Sequence, residues 1–417
     1  MIAILAWGVA AYVLLLMLGD LYLIACHLRR SGPALDREQE ALAHPLPAAD
    51  APQISVHLPV HNESASVALT IDALCSLDWP AERLEIMVLD DSTDHTVDIV
   101  DRRAEAWRAK GIDIKVLRRT DRHEFKAGAL QEGLARSRAP YIAIFDADYR
   151  PHPLFLREIM AVLVAEPNAA FVQARLDYRN RNANWLTRAQ ALDLDTQLAY
   201  EQAARHWGGL PVTFNGTCGV WRRAAIEQGG GWSGRSLGED QDLSFRVLSQ
   251  GWTCRFLVSL AVAGELPASL SALTQQRRRW STAAAQVLRV FPWGIARQLT
   301  VPRAIAFALV WLFNTTSAAA ITLLAALTLA AWLWEPRSLG AASCALGAAV
   351  SLIIVLKTTG SFLAAQLLRR RIRTGYLLDV IGLWLMQAIL LPVASASLLV
   401  GLSSPGGVFV RTPKKGA

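Results

Sequence analysis

Charge is scarce in this chain. Asp, Glu, Lys and Arg make up only 18% of its 417 residues, against 53% hydrophobic residues and a positive mean hydropathy of +0.27. Soluble domains carry about 25% charged residues, so apolar surface is buried in lipid here as well as in a core. Cysteine is scarce too. Cys26, Cys75, Cys218, Cys254 and Cys344 form no CxxC pair and no zinc spacing, and two of them lie in apolar runs. This odd, dispersed set excludes a disulfide framework and suits a reducing compartment. Acidic residues are almost missing from one region. From Arg303 onward ten Lys/Arg face two Asp/Glu, so residues 1–302 sum to about −1 of the +7 total. The basicity therefore belongs to membrane flanks and acidic lipid head groups. Nucleic-acid binding is excluded on that ground.

What is present begins with a long apolar run. Residues 1–18 are nearly continuously apolar, extend through 21–24 and close at His27-Leu28-Arg29-Arg30. At about 1.5 Å per residue the run spans a ~30 Å hydrocarbon layer. A signal peptide is excluded: there is no basic n-region, the run is too long, and no small-residue cleavage site comes after it. The Arg pair puts the next part of the chain in the cytoplasm. Asp20 lies close enough to the inner flank to snorkel. Three further runs occupy about 304–334, 339–368 and 376–402. The basic segment 369–373 is expected inside, and Glu335-Pro336-Arg337 forms an outer turn. A third crossing carries the tail outside, whereas Lys414-Lys415 prefers the inside. Either the last run, broken at Pro392, is no simple crossing, or one of the longer runs is two elements.

Between about 54 and 265, apolar strand-like runs alternate with amphipathic helical stretches. Residues 54–58, 85–89, 114–117 and 141–145 read as strands, and 64–77, 96–110 and 126–136 as helices. The pattern predicts an α/β domain with a mainly parallel sheet, binding ligands beyond the carboxyl ends of its strands. Acidic residues sit at those ends. Asp90, Asp91 and Asp94 come after one strand, and Asp146-Ala147-Asp148 after another. Helix capping explains the first group equally well. Two carboxylates one residue apart can share a divalent cation, and hard oxygen ligands suit Mg²⁺ or Mn²⁺. A third group, Gly238-Glu239-Asp240-Gln241-Asp242, lies after a glycine-rich loop and opens a helix at 243–250. Capping accounts for such acids, and so does a general base. His61, His95 and His123 have no metal spacing and read as polar loop residues.

Asp90-Asp91, Asp146-x-Asp148, Gly238-Glu239-Asp240 and Gln276-Arg277-Arg278-Arg279-Trp280, in that order, resemble the D, DxD, TED and QxxRW series of processive family-2 glycosyltransferases. Cellulose, mannan and other β-glycan synthases belong to that family. His57-Leu58-Pro59-Val60-His61-Asn62-Glu63 resembles its nucleotide-cradling first loop, and Phe125-Lys126-Ala127-Gly128 its KAG segment. Phe214-Asn215-Gly216-Thr217 resembles its acceptor-site loop, and 409–414 a motif of bacterial members. The likeness is greatest to glucomannan and mannan synthases and their bacterial relatives. Gly238 departs from the threonine many members carry. The resemblance implies a GT-A type nucleotide-sugar domain, mainly a parallel sheet, joined to an α-helical transmembrane region. The implied plan is an N-terminal transmembrane helix (1–30), a linker (31–53), a cytoplasmic catalytic domain (54–267), interfacial amphipathic helices (268–302), C-terminal transmembrane helices (303–404) and a tail (405–417).

It also implies transfer of a sugar, with inversion, from UDP-glucose or GDP-mannose to a β-linked glycan at the inner membrane, coupled to export. Pro59, His61, Asn62, Glu63, Asp90, Asp91, Lys126 and Gly128 are then donor-binding residues. Asp148 holds Mg²⁺ or Mn²⁺, with Asp146 shared between metal and donor. Asp240, paired with Glu239, is the base. Gln276 and Arg279 face the diphosphate, while Asn215, Gly216, Thr217 and Trp280 face the acceptor. Residues 269–290 have a basic face that suits lipid head groups, at Arg278 and Arg289 above all. Accessory subunits are candidate partners. A ceramide-glucosyltransferase-like enzyme, adding one sugar to a lipid, is the alternative with the same chemistry. A non-enzymatic transporter is disfavoured by intact acidic motifs and few crossings.

Overall fold

The computed structural model of the protein describes residues 1–291, 293–368 and 376–404. The basic segment 369–373 and the tail motif 409–414 lie outside the described residues. Helix α1 (Ile2–Ala43) leads into strand β1 (Ile54–Val60) and then α2 (Val67–Cys75), β2 (Leu84–Asp90), α3 (Thr96–Arg108) and β3 (Asp113–Leu117). Next come α4 (Phe125–Arg136), β4 (Tyr141–Ile144), α5 (Phe155–Ala165) and β5 (Ala169–Tyr178). A helical insertion comes next: α6 (Trp185–Asp195), a π-helical stretch (Thr196–Gln202) and α7 (Ala203–Gly208). The sheet domain ends with β6 (Gly219–Arg222), α8 (Arg223–Gln228), α9 (Glu239–Ser249) and β7 (Thr253–Gly264). Beyond it lie α10 (Leu270–Arg289), α11 (Val301–Trp334), α12 (Leu339–Leu367) and α13 (Tyr376–Ser403).

The strands form one sheet in the order β3-β2-β1-β4-β6-β5-β7. Helices cover both faces, so β1 buries Ser55 and His57 as well as Ile54, Val56 and Leu58, as parallel strands do. β1, β2 and β4 run parallel, with Val60 opposite Asp90 and His57 opposite Ile144. Their carboxyl ends therefore share one edge. β6 runs antiparallel to β4 and starts opposite Ile144, which brings the loop before it, 213–218, to the same edge. Trp221 anchors β6, its ring 4.5 Å from that of Phe171, 5.4 Å from Phe214 and 5.6 Å from Trp232.

Among the described residues four helices are long and apolar enough to cross a membrane: α1, α11, α12 and α13. Each C-terminal apolar run forms one helix, and α13 passes through Pro392 unbroken. Neighbouring helices make such a proline tolerable in an apolar helix. The sheet core runs on into this region. Phe245 of α9 lies 5.1 Å from Phe291, which lies 4.2 Å from Trp311 of α11, and Leu23 of α1 and Leu363 of α12 belong to the same buried cluster.

Two expectations are corrected. Residues 31–43 are helix, not linker, because α1 continues through Pro33 to Ala43. The segment 34–43 is rich in Ala, Leu, Glu, Arg and Gln, all good helix formers. Glu38 accepts a hydrogen bond from the Ser259 N–H and docks this extension on β7. Asp20 does not snorkel. It is 7% exposed, enclosed where the inner end of α1 meets α11, α12 and the π-helical stretch. Replacing Trp221 by Ala should cost about 3–5 kcal/mol through the cavity it leaves, seen as a lowered melting temperature of the detergent-solubilised protein. Trp221→Phe should keep most of the stability.

Candidate active site

The loops after β1 and β2 are joined to each other. Asn62 turns the chain with a left-handed φ of 56°, which asparagine tolerates. Its N–H donates to Ser92 Oγ and its Oδ1 accepts from the Thr93 N–H, both at 2.9 Å. His61 Nδ1 lies 2.8 Å from the Asp91 carbonyl. Asp91 receives a two-pronged contact from Arg119, whose Nε donates to Oδ1 at 3.0 Å. Arg119 also donates to the carbonyls of His123 and Phe125, at 2.8 and 2.9 Å. It thereby fixes the turn that starts α4. A Cβ on Gly128 would lie 2.1 Å from the His123 oxygen, so only glycine lets this turn fold back.

Asp90 is not available to a donor. It is buried, accepting from the Ser92 N–H at 3.0 Å and from Arg118 Nε at 2.9 Å, so it builds the loop. His57 is also a core residue, pushed down to about 3 by burial, and Pro59 lies within β1.

Lys126, in the first turn of α4, reaches the same edge. Its Nζ donates to Asp146 Oδ1 at 2.7 Å and to the Gly216 carbonyl at 2.9 Å, and Glu239 Oε1 lies 3.7 Å away. Burial alone would lower its pKa. The carboxylates of Asp146 and Glu239 outweigh that and hold it above the ordinary lysine range. The loop before β6 is fixed from behind. Thr217 Oγ1 accepts from the Asp146 N–H at 2.8 Å. Gln173 Oε1 accepts from the Asn215 N–H at 2.9 Å, and its Nε2 donates to the Thr217 carbonyl at 3.0 Å.

Asp240 lies against this loop. Gly216 has a φ of +77°, and a Cβ there would meet Asp240 Oδ2 at 3.1 Å and Lys126 Nζ at 3.3 Å. Burial, then the neighbouring Glu239 carboxylate, push the Asp240 pKa up to about 7. Asp242 behaves differently. It is buried between Arg235 and Arg246, which donate to it at 2.9 and 3.0 Å, and its role is to hold the start of α9. Ser244 Oγ donates to the Asp240 carbonyl at 2.6 Å and accepts from the Phe214 N–H at 2.9 Å.

Helix α10, capped by Ser269 at its start, closes the cluster. Burial lowers the pKa of its Arg279, against the carboxylates of Glu239, Asp146, Asp240 and Glu63. Gly238 has a physical reason: a Cβ would sit 3.3 Å from Val287 and 3.4 Å from Ala283 of α10. Trp280 is 38% exposed and carries Arg277 over its ring at 5.1 Å. Arg277 in turn pairs with Asp193 of α6 at 2.6 Å, where Gln387 of α13 also donates. Gln276 is half-buried on the turn before Arg279.

Asp148 is buried below Asp146, its Oδ2 accepting from the Glu265 N–H at 3.1 Å. Among the described residues no three metal-ligating side chains already surround a point. The donor chemistry nevertheless fits a hard divalent cation, since carboxylate oxygens predominate and four carboxylates face the two cations Lys126 and Arg279. A cavity of about 280 Å³ opens beside them, lined by Glu124, Lys126, Ser236, Leu237 and Glu239. A larger groove of about 420 Å³ lies between α2 and α3, lined by Ile99 and Arg102 among others, with none of the acidic motifs in it.

The edge thus gathers Asn62, Asp91, Lys126, Asp146, Gly216, Thr217, Glu239, Asp240 and Arg279. Arg119, Gln173 and Ser244 are additions that sequence reasoning missed. Comparison with known proteins bears on the family and the fold. The chain is 42% identical over 254 residues to glucomannan 4-beta-mannosyltransferase 2 of Arabidopsis thaliana, covering 60% of this chain and 48% of the relative. It is 42% identical over 242 residues to a probable glucomannan 4-beta-mannosyltransferase 11 of Oryza sativa subsp. japonica, covering 57% and 42%. The chain spans about half the length of the curated relatives it matches. A mannosyltransferase of Pyrobaculum calidifontis, solved with GDP-Man and Mn²⁺, superposes with a TM-score of 0.53 at 21% identity, over 92% of this chain and 99% of that one. That likeness is one of fold, the GT-A type expected from the sequence. Residues 141–352 match Glycosyl transferase family group 2, half of the chain, and the protein belongs to that family.

Proposed function

We propose that the protein is a membrane-bound, inverting glycosyltransferase that moves a sugar from a nucleotide donor onto a growing β-linked polysaccharide. A mannosyl donor is favoured, on the names of the relatives at 42% identity. The observation that carries the reading is the meeting of Asp240 with Gly216, Lys126, Asp146 and Arg279 at one sheet edge.

Asp240 takes the proton of the acceptor hydroxyl as its oxygen attacks the anomeric carbon. A base that titrates near 7 suits that task at neutral pH. Glu239 tunes it through its neighbouring charge. Lys126 and Arg279 receive the diphosphate, for which the Arg fork is well shaped. The 61–62 loop and Asp91, held by Arg119, receive the nucleotide. Asp148 and Asp146 would hold Mg²⁺ or Mn²⁺, which when bound offsets the charge of the leaving diphosphate. Asn215 and Trp280 bound the acceptor side. Arg29-Arg30 after the first apolar run supports a cytoplasmic sheet domain. The helices packed on α10 then offer the product a route toward export.

Labelled GDP-mannose should be turned over in preference to UDP-glucose in the presence of Mg²⁺ or Mn²⁺, with a polymer cleaved by linkage-specific β-mannosidases. A single-sugar glycolipid as the only product would rule out polymer synthesis. Asp240→Asn should lower kcat by about 10²–10⁴-fold while donor affinity, read by calorimetry, is kept. Because the unprotonated carboxylate is the active form, kcat/KM should rise with pH through about 7 and then level off. Glu239→Gln removes the like charge, so its rising limb should move to lower pH.

A further inference from the structure

Glu201 and Gln202 are adjacent in the π-helical stretch, and both are buried. They serve opposite sides of it. Gln202 Oε1 accepts from Asn215 Nδ2 at 3.2 Å, and its Nε2 donates to the Thr213 carbonyl at 3.2 Å. Glu201 turns to the membrane helices. It accepts from Asn314 Nδ2 of α11, lies 3.6 Å from Lys357 Nζ of α12 and 3.8 Å from Arg205 of α7. The packing around this pair is close. A Cβ on Gly360 of α12 would meet the Tyr200 ring at 2.8 Å. The Tyr200 hydroxyl donates to the Asp20 carbonyl of α1 at 3.4 Å. Three apolar helices therefore grip a stretch whose other side holds the loop lying on Asp240. π-helical turns are rare and concentrate at functional sites.

We propose that Glu201 is a positioning residue for the acceptor. Its ties to Asn314 and Lys357 fix the π-helical stretch, so that Gln202 holds Asn215, and with it Gly216, in place beside Asp240. This rests on the reading of 215–217 as the acceptor loop. A buried acid with a buried lysine partner is a strong fixture, because removing either partner strands the other charge. The nucleotide loops are held independently, by Arg119 against Asp91, and Lys126 keeps Asp146 as its partner. Loss of Glu201 therefore acts on one substrate and not on the other.

The test uses the full chain in lipid nanodiscs, with labelled GDP-mannose and a β-mannan oligosaccharide. Hydrolysis of the donor by water is measured alongside transfer. Glu201→Gln and Lys357→Met should each raise the acceptor KM on the order of tenfold, as for one lost charged contact, with donor KM and hydrolysis unchanged. The double variant, in which neither Glu201 nor Lys357 faces a missing partner, should be no worse than Glu201→Gln alone. Lys357→Arg should stay near wild type. An unchanged acceptor KM in Glu201→Gln, or a parallel loss of hydrolysis and transfer in a variant that melts like wild type, would overturn the inference alone. If the single variants melt early, the double variant decides: acceptor KM losses that add in it overturn the inference. A wild-type protein that turns over neither nucleotide sugar overturns the transferase reading, and the inference with it.

Discussion

Four chain segments far apart in sequence close on the ammonium of Lys126. Asp146 arrives from the end of β4, the Gly216 carbonyl from the loop before β6, Glu239 from the start of α9, and the lysine itself from α4. A buried ammonium is costly unless it is paired and hydrogen-bonded. Here the pairing is complete only when all four segments are in place. The same contact restrains the acids. Without the lysine, Asp146, Glu239 and Asp240 would face one another across a half-buried edge, and such crowding drives carboxyl groups to hold their protons. Asp240 already shows that tendency. The site is thus assembled by the charges it employs, and its electrostatics and its architecture are one problem.

The fold was legible where chemistry and periodicity coincide. Apolar strands ending in acids, at Asp90 and Asp146, announce a parallel sheet because that topology leaves loops only at strand ends. The acids at the start of α9, the helix capped by Ser269 and the long apolar runs were readable for the same local reasons. What escaped was set by distance along the chain. Arg119 is an ordinary surface arginine by sequence, and only the fold lays it across Asp91. Gln173 lies inside a strand, and nothing nearby says that its amide will bind a loop more than forty residues away.

Other misreadings came from taking polarity as exposure. Asp90 looks like its neighbour Asp91, yet one is buried against Arg118 and the other is held by Arg119. Asp20 lies near an interface and is nevertheless enclosed, because α1 is covered there by elements that the local sequence does not reveal. The helical continuation to Ala43 runs through Pro33, a residue type that usually marks an end. Its true end is set by contact, where Glu38 meets the bulged strand β7.

The aromatic stack of Phe245, Phe291, Phe307 and Trp311 has a consequence for how such proteins change over time. At one part of the boundary between the sheet domain and its apolar helices these rings interlock. A graft of one part onto another protein has to bring the facing rings with it. A chimera that joins one transferase to another's helices inherits mismatched rings at the joint, with voids or clashes on both sides.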